Sequence, residues 1–470
     1  MAVASGLWAN RKIGRYLAVV LALLGSIEAL ALLHWIIFLP IGLSSTFLWY
    51  ANLEMGLFYL AAHLAPYLVI PLMYLWIFKL LFHWRRESNE KQESLDQKSE
   101  KTLSRRAILI LLLSIFLAVT AAIFPYLPTI NLRNRNVGSD FKRYIEAAEL
   151  VEKDLSQIFN VWHSSRPLIH MIIYGIQLMS GLNATTVVRY LPLFLNPLLV
   201  ISTYLLAREI FLDELVASWA SFFTVCGIQI AVGMFSFFLT NMLALSIMFL
   251  SLGFLFRAIR CGYYISLILA LLMGGLLVFT HPWTFDQYYV PIILLTFYIL
   301  YDDRKKDNGY IRFKMIFFYV FSLGLSDFVK SKIFHGLGGV SASSVALESI
   351  IDVSGFWYSN IFFFRRIYCG LESNVILLIL SITGIYILEK VSISKLYFIL
   401  LFFISSLPFI FCNAMIKSRL IYNIPFGLYS AYSFTWLNNQ KNINKFKLHI
   451  NFFILLSMIV YLFRSLANII

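Results

Sequence analysis

Long apolar segments separated by short polar segments make up most of the chain. Apolar and polar positions do not alternate within them, so the segments are typical of helices and not of outer-membrane strands. A membrane-spanning helix needs about 20 mostly apolar residues. The pattern therefore predicts about 13 spans, near residues 16–39, 57–82, 107–127, 187–206, 215–233, 236–256, 264–280, 285–301, 315–334, 374–388, 396–414, 420–437 and 448–464.

Three segments outside these spans are long enough to matter for the organisation of the chain. Residues 83–106 are rich in charge and poor in aromatic side chains, which is typical of a flexible cytoplasmic linker. We expect residues 1–82 to form two leading transmembrane helices and residues 107–470 to form the main transmembrane domain. Within that domain lie the long loops 128–186 and 335–372.

Composition narrows the class of protein further. Hydrophobic residues make up 60% of the chain and charged residues 13%, against about 45–50% and about 25% in soluble domains. The mean hydropathy is +0.79. These values exclude a soluble enzyme, a disordered chain and a coiled coil. No nucleotide-binding loop or zinc-protease motif occurs, and no nucleic acid is expected as a partner. The predicted fold class is all-α, a polytopic transmembrane helical bundle embedded in the lipid bilayer.

The distribution of positive charge predicts the orientation in the membrane. The chain has 38 Lys and Arg residues against 24 Asp and Glu residues, a net charge of +14. Cytoplasmic loops of membrane proteins carry an excess of Lys and Arg. Most of the cations fall on one side when the spans are counted from a cytoplasmic N-terminus. We therefore predict a multi-pass plasma membrane protein whose loops 128–186 and 335–372 face outward.

Two amphipathic helices are predicted in the first outer loop. Gly138, Ser139 and Asp140 form a helix start signal, a turn residue followed by two good capping residues. After them, apolar positions recur at helical spacing and charges cover the opposite face. Arg166 and Pro167 open the second helix. We expect both helices to lie in the outer membrane interface.

Asp140 has two explanations that the local pattern leaves open. As a helix cap it would contribute about 1 kcal/mol to stability. As a catalytic base it would stand at the start of a helix just above the membrane, where the positive end of the helix favours the ionised carboxylate. Because Asp is among the commonest caps, local chemistry alone favours the cap.

The first outer loop and the span after it resemble a family of membrane enzymes. The pattern G-x-D-x-x-x-Y-x-x-A-x-x-L is matched by VGSDFKRYIEAAELV, and an Arg-Pro start, an amphipathic helix, a Gly break and a long span follow in the family's order up to residue 210. The chain is similar here to the GT-C superfamily of polytopic glycosyltransferases, which includes oligosaccharyltransferases, protein O-mannosyltransferases and aminoarabinose transferases. The resemblance covers about residues 107–437. Many members carry two adjacent acids in this loop, whereas here Phe141 follows Asp140.

The resemblance implies a function and a mechanism. The donor would be a sugar linked to polyprenyl phosphate, and the acceptor a glycan, lipid or protein on the outer face. Asp140 would be the general base, and a single displacement would invert the anomeric carbon. No cofactor is certain. A second acid, common in the family where a divalent metal is bound, is missing from residues 233–238, so a metal is not supported.

Further candidates for substrate binding lie in the outer loops and at the outer ends of spans. Arg419 belongs to an S-R-x-x-Y-x-x-P-F element similar to one in the family, where an Arg holds phosphate; alternatively it snorkels to the interface. Trp283 beside Asp286 is typical of a sugar platform and equally of the aromatic belt. The predicted substrate-binding set is Tyr144, His163, Arg166, His281, Trp283, Asp286, Lys417 and Arg419. Candidate lipid-phosphate or acceptor contacts are Arg365, Arg366, Glu348 and Asp352.

Two alternatives to the enzyme are carried forward. A transporter or lipid flippase would move its substrate without bond chemistry, and such proteins place polar groups at mid-membrane and break their helices there. The polar outliers of this chain collect at the outer interface instead, which favours the enzyme. An inactive GT-C-like scaffold is the second alternative, because the second acid is missing.

Overall fold

The computed structural model describes residues 104–160, 166–306, 310–334, 374–388, 393–406, 419–439 and 447–467. They belong to the compact unit Thr102–Ile470, and their regular structure is entirely helical. Outside them lie the predicted spans 16–39 and 57–82, nearly all of the linker and the loop 335–372. Six predicted site residues also lie outside the described residues: His163, Glu348, Asp352, Arg365, Arg366 and Lys417.

Sixteen α-helices with defined bounds follow one another through the described ranges, with a short 3-10 helix at Phe124–Tyr126 after the first. They are α1 (Arg105–Ile123), α2 (Phe141–Lys153), α3 (Gln157–Asn160), α4 (Pro167–Ser180), α5 (Ala184–Tyr190), α6 (Pro192–Phe211), α7 (Glu214–Val225), α8 (Ile228–Ser236), α9 (Leu239–Cys261), α10 (Tyr264–Val278), α11 (Pro282–Lys306), α12 (Ile311–Phe334), α13 (Val375–Ile387), α14 (Ile393–Ser406), α15 (Phe426–Asn438) and α16 (Lys447–Ala467).

Each predicted span that falls in these ranges coincides with a helix or with two helices in series. Five segments are long and apolar enough to cross a membrane: Arg105–Tyr126, Ala184–Phe211, Glu214–Ser236, Leu239–Cys261 and Leu448–Ala467. The second and third of these consist of two helices each, α5 with α6 and α7 with α8. The all-α fold class is confirmed, while the count of 13 spans stays a prediction.

Local chemistry explains where several helices begin and end. The Asp213 carboxylate accepts hydrogen bonds from the N–H groups of Leu215 and Val216 at 2.8 and 3.1 Å, which caps α7. The Asn183 side chain caps α5 in the same way. Gly262 has a positive φ of 70° at the end of α9, a conformation that glycine adopts without strain.

Helix α9 lies at the centre of the bundle, between α6 and α10. Its Ser251 hydroxyl hydrogen-bonds the hydroxyls of Tyr288 at 3.0 Å and Tyr319 at 2.7 Å, so α9, α11 and α12 share a buried polar contact. Helices α13 and α15 approach closely at Gly384, where a Cβ would collide with the backbone of Tyr429. Small residues allow such close contacts between membrane helices.

Ion pairs occur at both ends of the bundle. At one end, Arg260 pairs with Glu209, and Arg312 bonds Asp302 at 2.8 Å. This is the end that the distribution of Lys and Arg assigns to the cytoplasm. The loop that follows α1 lies at the opposite end, with the start of α2. The ion pairs of Arg260 and Arg312 are therefore far from the charged residues near the start of α2.

Candidate functional site

The first part of the site is the start of α2, which is docked on the junction between α8 and α9. The backbone N–H groups of Ser139 and Asp140 donate to the carbonyls of Phe235 and Ser236, each at 3.3 Å. The Tyr144 hydroxyl lies 2.7 Å from the Thr240 hydroxyl and accepts from the Thr240 N–H at 3.2 Å. Two anchors one helical turn apart therefore fix Asp140 relative to the bundle.

The apolar face of α2 packs on protein. Sequence analysis predicted that this face would meet the membrane interface, and the structure buries it instead; its buried members are Phe141, Tyr144, Ala147, Ala148 and Val151. Phe141 stacks edge-on to Phe237, with ring centroids 4.9 Å apart. Gly138 has a φ of 93°, and a Cβ there would lie 2.5 Å from the Phe237 Cβ. Only glycine fits this turn, which explains the G-x-D spacing.

The Asp140 carboxylate does not cap the helix. Asp140 occupies the N-cap position of α2 but forms no side-chain capping hydrogen bond. Its Oδ1 pairs with Nη1 of Arg143 at 3.2 Å, and the Asp140 side chain is 19% exposed. Asp140 thus occupies the position of a helix cap, but its carboxylate pairs with a guanidinium group and does not cap the helix.

Three guanidinium groups lie within electrostatic range of this carboxylate. Burial raises the pKa of the Asp140 carboxyl above its usual value, while Arg143, Arg419 and Arg166 act in the opposite direction, in that order of strength. The three cations come from α2, from residue 419 and from the start of α4, which are distant in sequence. The site is therefore a tertiary cluster of one carboxylate and three guanidinium groups.

Arg166 is a buried cation at the N-terminal end of α4. It precedes Pro167, which occupies the first turn of the helix as predicted, and it is only 8% exposed. Within the described part of the chain its Nε has no hydrogen-bond partner. Two residues on, the Leu168 N–H donates to the Phe279 carbonyl at 3.1 Å. Arg166 therefore lies between Asp140 and the turn that joins α10 to α11.

A network of side-chain amides holds the segment that carries Arg419. Gln229 donates to the Ile424 carbonyl at 2.6 Å, and Gln287 donates to the Leu420 carbonyl at 2.8 Å. The Asn423 amide donates to Gln287 Oε1 at 2.9 Å. These bonds join α8, α11 and the helical turn at 419–422, so the position of Arg419 depends on buried amides far away in sequence.

The α10–α11 turn forms the side of the site next to Arg166. His281 is fully buried, and its Nδ1 lies 2.8 Å from the Thr284 hydroxyl. Trp283 is 4% exposed and fills a core position, so a role for its ring as a sugar platform stays a prediction. Asp286 and Arg166 both lie within electrostatic range of Lys330, whose ammonium group donates to the Val278 carbonyl at 2.7 Å.

His170 lies one turn into α4, facing α2. Its ring centroid is 6.4 Å from that of Tyr144. Burial lowers the pKa of His170 to about 4, and the nearby Arg166 acts in the same direction. The imidazole is therefore neutral at physiological pH. His170 lies on the buried side of α4 with Ile169 and Ile173.

The structure brings together four of the predicted residues, Asp140, Tyr144, Arg166 and Arg419, and places His281 and Asp286 beside them. Sequence analysis missed several residues that the structure adds to the site: Arg143, His170, Gln229, Gln287, Asn423 and Lys330. The sequence contained a signal for Gln229, Gln287 and Asn423. Each is a polar side-chain amide in an apolar span, and such a residue is a functional or structural candidate by default.

Comparison with known proteins identifies the fold. No family model and no curated protein matches the sequence. The chain is similar to the Archaeoglobus fulgidus oligosaccharyltransferase in complex with Zn and sulfate, with a TM-score of 0.56 and 15% identity over 76% of this chain and 53% of that one. It is also similar to the oligosaccharyltransferase AglB from the same organism in complex with an inhibitory peptide and a dolichol-phosphate, with a TM-score of 0.54 and 14% identity over 77% and 55%.

The chain thus spans about half the length of these structures. The similarity confirms the predicted GT-C-like fold, and together with the five apolar helices it identifies an integral membrane protein.

The zinc ion in the first of these structures raises the question of a metal in this chain. Divalent cations bind carboxylate, carbonyl, imidazole or thiolate ligands. Among residues 104–467 that the structure describes, no group of three His, Cys, Asp or Glu side chains could hold one. The neighbours of Asp140 that act most strongly on it are guanidinium groups. The described residues around Asp140 therefore offer no ligand set for a divalent metal.

Proposed function

We propose that the protein is a membrane glycosyltransferase that moves a sugar from a polyprenyl-phosphate-linked donor to an acceptor on the outer face of the membrane. The observation that carries the proposal is the Asp140 carboxylate, which occupies a cap position without capping and lies among Arg143, Arg166 and Arg419. The GT-C-like fold supports it.

The reaction follows from the chemistry of this cluster. Asp140 accepts the proton of the acceptor hydroxyl or amine while the acceptor oxygen or nitrogen attacks the anomeric carbon. The bond from that carbon to the phosphate oxygen breaks, and its electron pair leaves with the lipid phosphate. Arg166 and Arg419 offset the negative charge that accumulates there. A single displacement inverts the anomeric carbon.

The raised pKa of the Asp140 carboxyl suits this role. A carboxylate whose proton affinity is increased by burial is a stronger base than one in water. Arg143 lowers the pKa of this carboxyl, in opposition to burial, and fixes the direction of the carboxylate. The Asp140 carboxylate thus has an increased proton affinity, and its pair with Arg143 fixes its orientation.

The similar AglB structure holds a dolichol-phosphate and an inhibitory peptide, which supports a polyprenyl phosphate as the lipid and a peptide as the first acceptor to test here. Glycan and lipid acceptors remain part of the proposal. We place Tyr144, His281, Trp283 and Asp286 around the donor. His163, Lys417, Arg365, Arg366, Glu348 and Asp352 are proposed as further contacts.

The decisive experiment is Asp140→Asn in full-length protein reconstituted in liposomes with a polyprenyl-phosphate-linked sugar and peptide, glycan and lipid acceptors. We expect loss of sugar transfer with retained binding of the donor. The matched control is Asp154→Asn, which changes an exposed carboxylate of the same loop that bonds Ser156. Near-normal transfer by Asp140→Asn contradicts the base assignment. Movement of a labelled lipid across the bilayer without transfer by the unmodified protein identifies a flippase.

A further inference from the structure

Lys330 is a buried cation of α12 that binds the end of another helix. It is 1% exposed, and its ammonium group donates to the Val278 carbonyl at 2.7 Å. Val278 is the last residue of α10, and the final carbonyls of an α-helix have no partner within that helix. A cation is favoured there, because the C-terminal end of a helix carries partial negative charge. Lys330 therefore caps α10 from a position 52 residues away in sequence.

The residue after Val278 connects this cap to the site. The Lys330 ammonium lies 5.8 Å from the centroid of the Phe279 ring, within the range of a cation–π contact. The Phe279 carbonyl accepts the Leu168 N–H at 3.1 Å. Leu168 is the second residue of α4, and the first N–H groups of a helix have no acceptor within it. The α10–α11 turn thus receives a bond from α12 and holds the start of α4.

Helix α12 is a firm base for this contact, because it packs closely on both α10 and α11. A Cβ at Gly274 of α10 would lie 2.8 Å from Leu323 Cδ2. The Tyr289 hydroxyl of α11 donates to the Val320 carbonyl at 2.9 Å. Lys330 lies about two helical turns after Leu323. The ammonium group is therefore carried by a helix whose position the bundle fixes.

The charges around Lys330 include Arg166. Among its charged neighbours, Asp327 acts on the ammonium group most strongly, followed by Arg166 and Asp286. The two carboxylates attract the ammonium group, whereas Arg166 repels it. A neutral donor would cap α10 without this repulsion and without the cost of burying a charge. The choice of a lysine here therefore points to a role in the site, as expected for an ionisable residue in a membrane protein core.

From these contacts we propose that Lys330 is a positioning residue of the site. It fixes the end of α10, the Phe279 carbonyl then holds the start of α4, and the Arg166 guanidinium is thereby held near Asp140. The inference rests on the proposed function for what Arg166 does in sugar transfer. Lys330 acts on the reaction through Arg166, without contact to the substrate.

Hydrogen exchange tests the connection without any sugar transfer. Full-length protein in nanodiscs is compared with Lys330→Met and with Lys332→Met, which removes an exposed ammonium group beside Phe328 on the same helix. We expect the Leu168 amide to exchange about tenfold faster in Lys330→Met, with α6 and α9 unchanged. Lys332→Met should match the unmodified protein. Unchanged exchange at Leu168 in Lys330→Met, or equal acceleration in Lys332→Met, contradicts the proposal.

A pair of variants at Leu168 keeps the test independent of whether Lys330→Met folds. Leu168→Pro removes the N–H that the Phe279 carbonyl accepts, in the first helical turn, where proline is tolerated. Leu168→Ala keeps this N–H and is the matched control. We expect Leu168→Pro to need at least about fivefold more donor for half-maximal transfer than Leu168→Ala, with the acceptor dependence equal within about twofold. Equal donor dependence in the two variants overturns the proposal.

A double-variant cycle tests whether Lys330 acts through Arg166. We expect Lys330→Met to raise the donor concentration for half-maximal transfer about fivefold, and Lys330→Arg to raise it less, because arginine keeps a cationic donor. Adding Lys330→Met to Arg166→Gln should change little beyond Arg166→Gln alone. Additive losses overturn the proposal. An equal change in donor and acceptor dependence assigns Lys330 to general stability and also overturns it.

The outcome for this inference is separable from that for the proposed function. Faster exchange at Leu168 in Lys330→Met, in a protein that transfers no sugar to any acceptor, supports the connection and rejects the enzyme. Sugar transfer by the unmodified protein, with exchange at Leu168 unchanged in Lys330→Met, supports the enzyme and rejects the positioning role.

Discussion

The Asp140 carboxylate and the Arg143 guanidinium form an ion pair of 3.2 Å within the first turn of α2. The pair takes the place of the capping hydrogen bond that Asp at this position commonly makes. A capping carboxylate would be turned toward its own helix. Paired with Arg143, it is held within electrostatic range of Arg166 and Arg419, where the proposed mechanism brings acceptor and phosphate together.

Arg143→Gln is expected to reduce sugar transfer and to shift the acid limb of the pH profile of transfer to higher pH. The base must be ionised, and Arg143 lowers the pKa of the Asp140 carboxyl, so removing it raises that pKa further. Stability should change by less than about 1 kcal/mol, because the Arg143 side chain is 41% exposed. The pH profile of transfer measures the effect. Lys142→Gln, which removes an exposed pair with Glu146, is the control and leaves the profile in place.

Tyr144→Phe is expected to loosen the docking of α2. The change removes a buried hydrogen bond to Thr240, which contributes about 1 kcal/mol to stability. Thermal unfolding of Tyr144→Phe, Thr240→Val and the double variant measures the coupling. We expect the double variant to lose clearly less than the sum of the single losses, because both remove the same contact. Additive losses would show that the two hydroxyls act separately.

Gln287→Leu and Arg419→Ala are each expected to raise the donor concentration needed for half-maximal transfer. Gln287 holds the Leu420 carbonyl at 2.8 Å and the Asn423 amide at 2.9 Å, so its loss releases the turn that carries Arg419. The dependence of transfer on donor concentration measures both variants. Combining them should add little to Arg419→Ala alone, since Gln287 acts through Arg419. A normal donor dependence in Arg419→Ala indicates that this arginine only snorkels.

Acid should destabilise the protein through His170. The folded-state pKa of His170 is lowered to about 4 from 6.5, so below about pH 6.5 the unfolded chain binds a proton that the folded chain does not. The stability present at neutral pH is lost as the pH falls from 6.5 toward 4, by roughly 3 kcal/mol for this group. Thermal unfolding of the unmodified protein and of His170→Gln at pH 7.5 and 4.5 measures it. An equal loss in both would assign the acid sensitivity to other groups.

Cysteine labelling tests the orientation of the bundle. Cys261 is exposed at the C-terminal end of α9, and Glu149 is exposed on α2. The two residues lie at opposite ends of the bundle. With Cys369 and Cys412 changed to Ser, an impermeant thiol reagent on intact cells should label Glu149→Cys and leave Cys261 unlabelled until the cells are permeabilised. Cys226 is buried and should remain unlabelled in both cases. The reverse pattern would place Asp140 in the cytoplasm.

The local parts of the fold were accessible from sequence because they depend on neighbouring residues. Apolar length predicts spans, the Gly138-Ser139-Asp140 signal predicts the start of α2, and Arg166-Pro167 predicts the start of α4. The buried amides were not assigned to the site. Gln287 and Asn423 are 136 residues apart, and their hydrogen bond depends on the packing of α11 against the turn at 419–422.

The sequence by itself determined that this protein is a helical membrane protein, where α2 and α4 begin, and that Asp140 stands at a helix start within a family-like motif. Those properties follow from hydrophobicity and local backbone preference. The structure shows that the carboxylate pairs with the Arg143 side chain and does not bond the backbone N–H groups at the start of its helix. Only the tertiary structure decided that Arg166 and Arg419 lie within electrostatic range of it. The physical reason is that a charge cluster is formed by helix packing, which brings residues 140, 166 and 419 together although nothing in their local sequence links them.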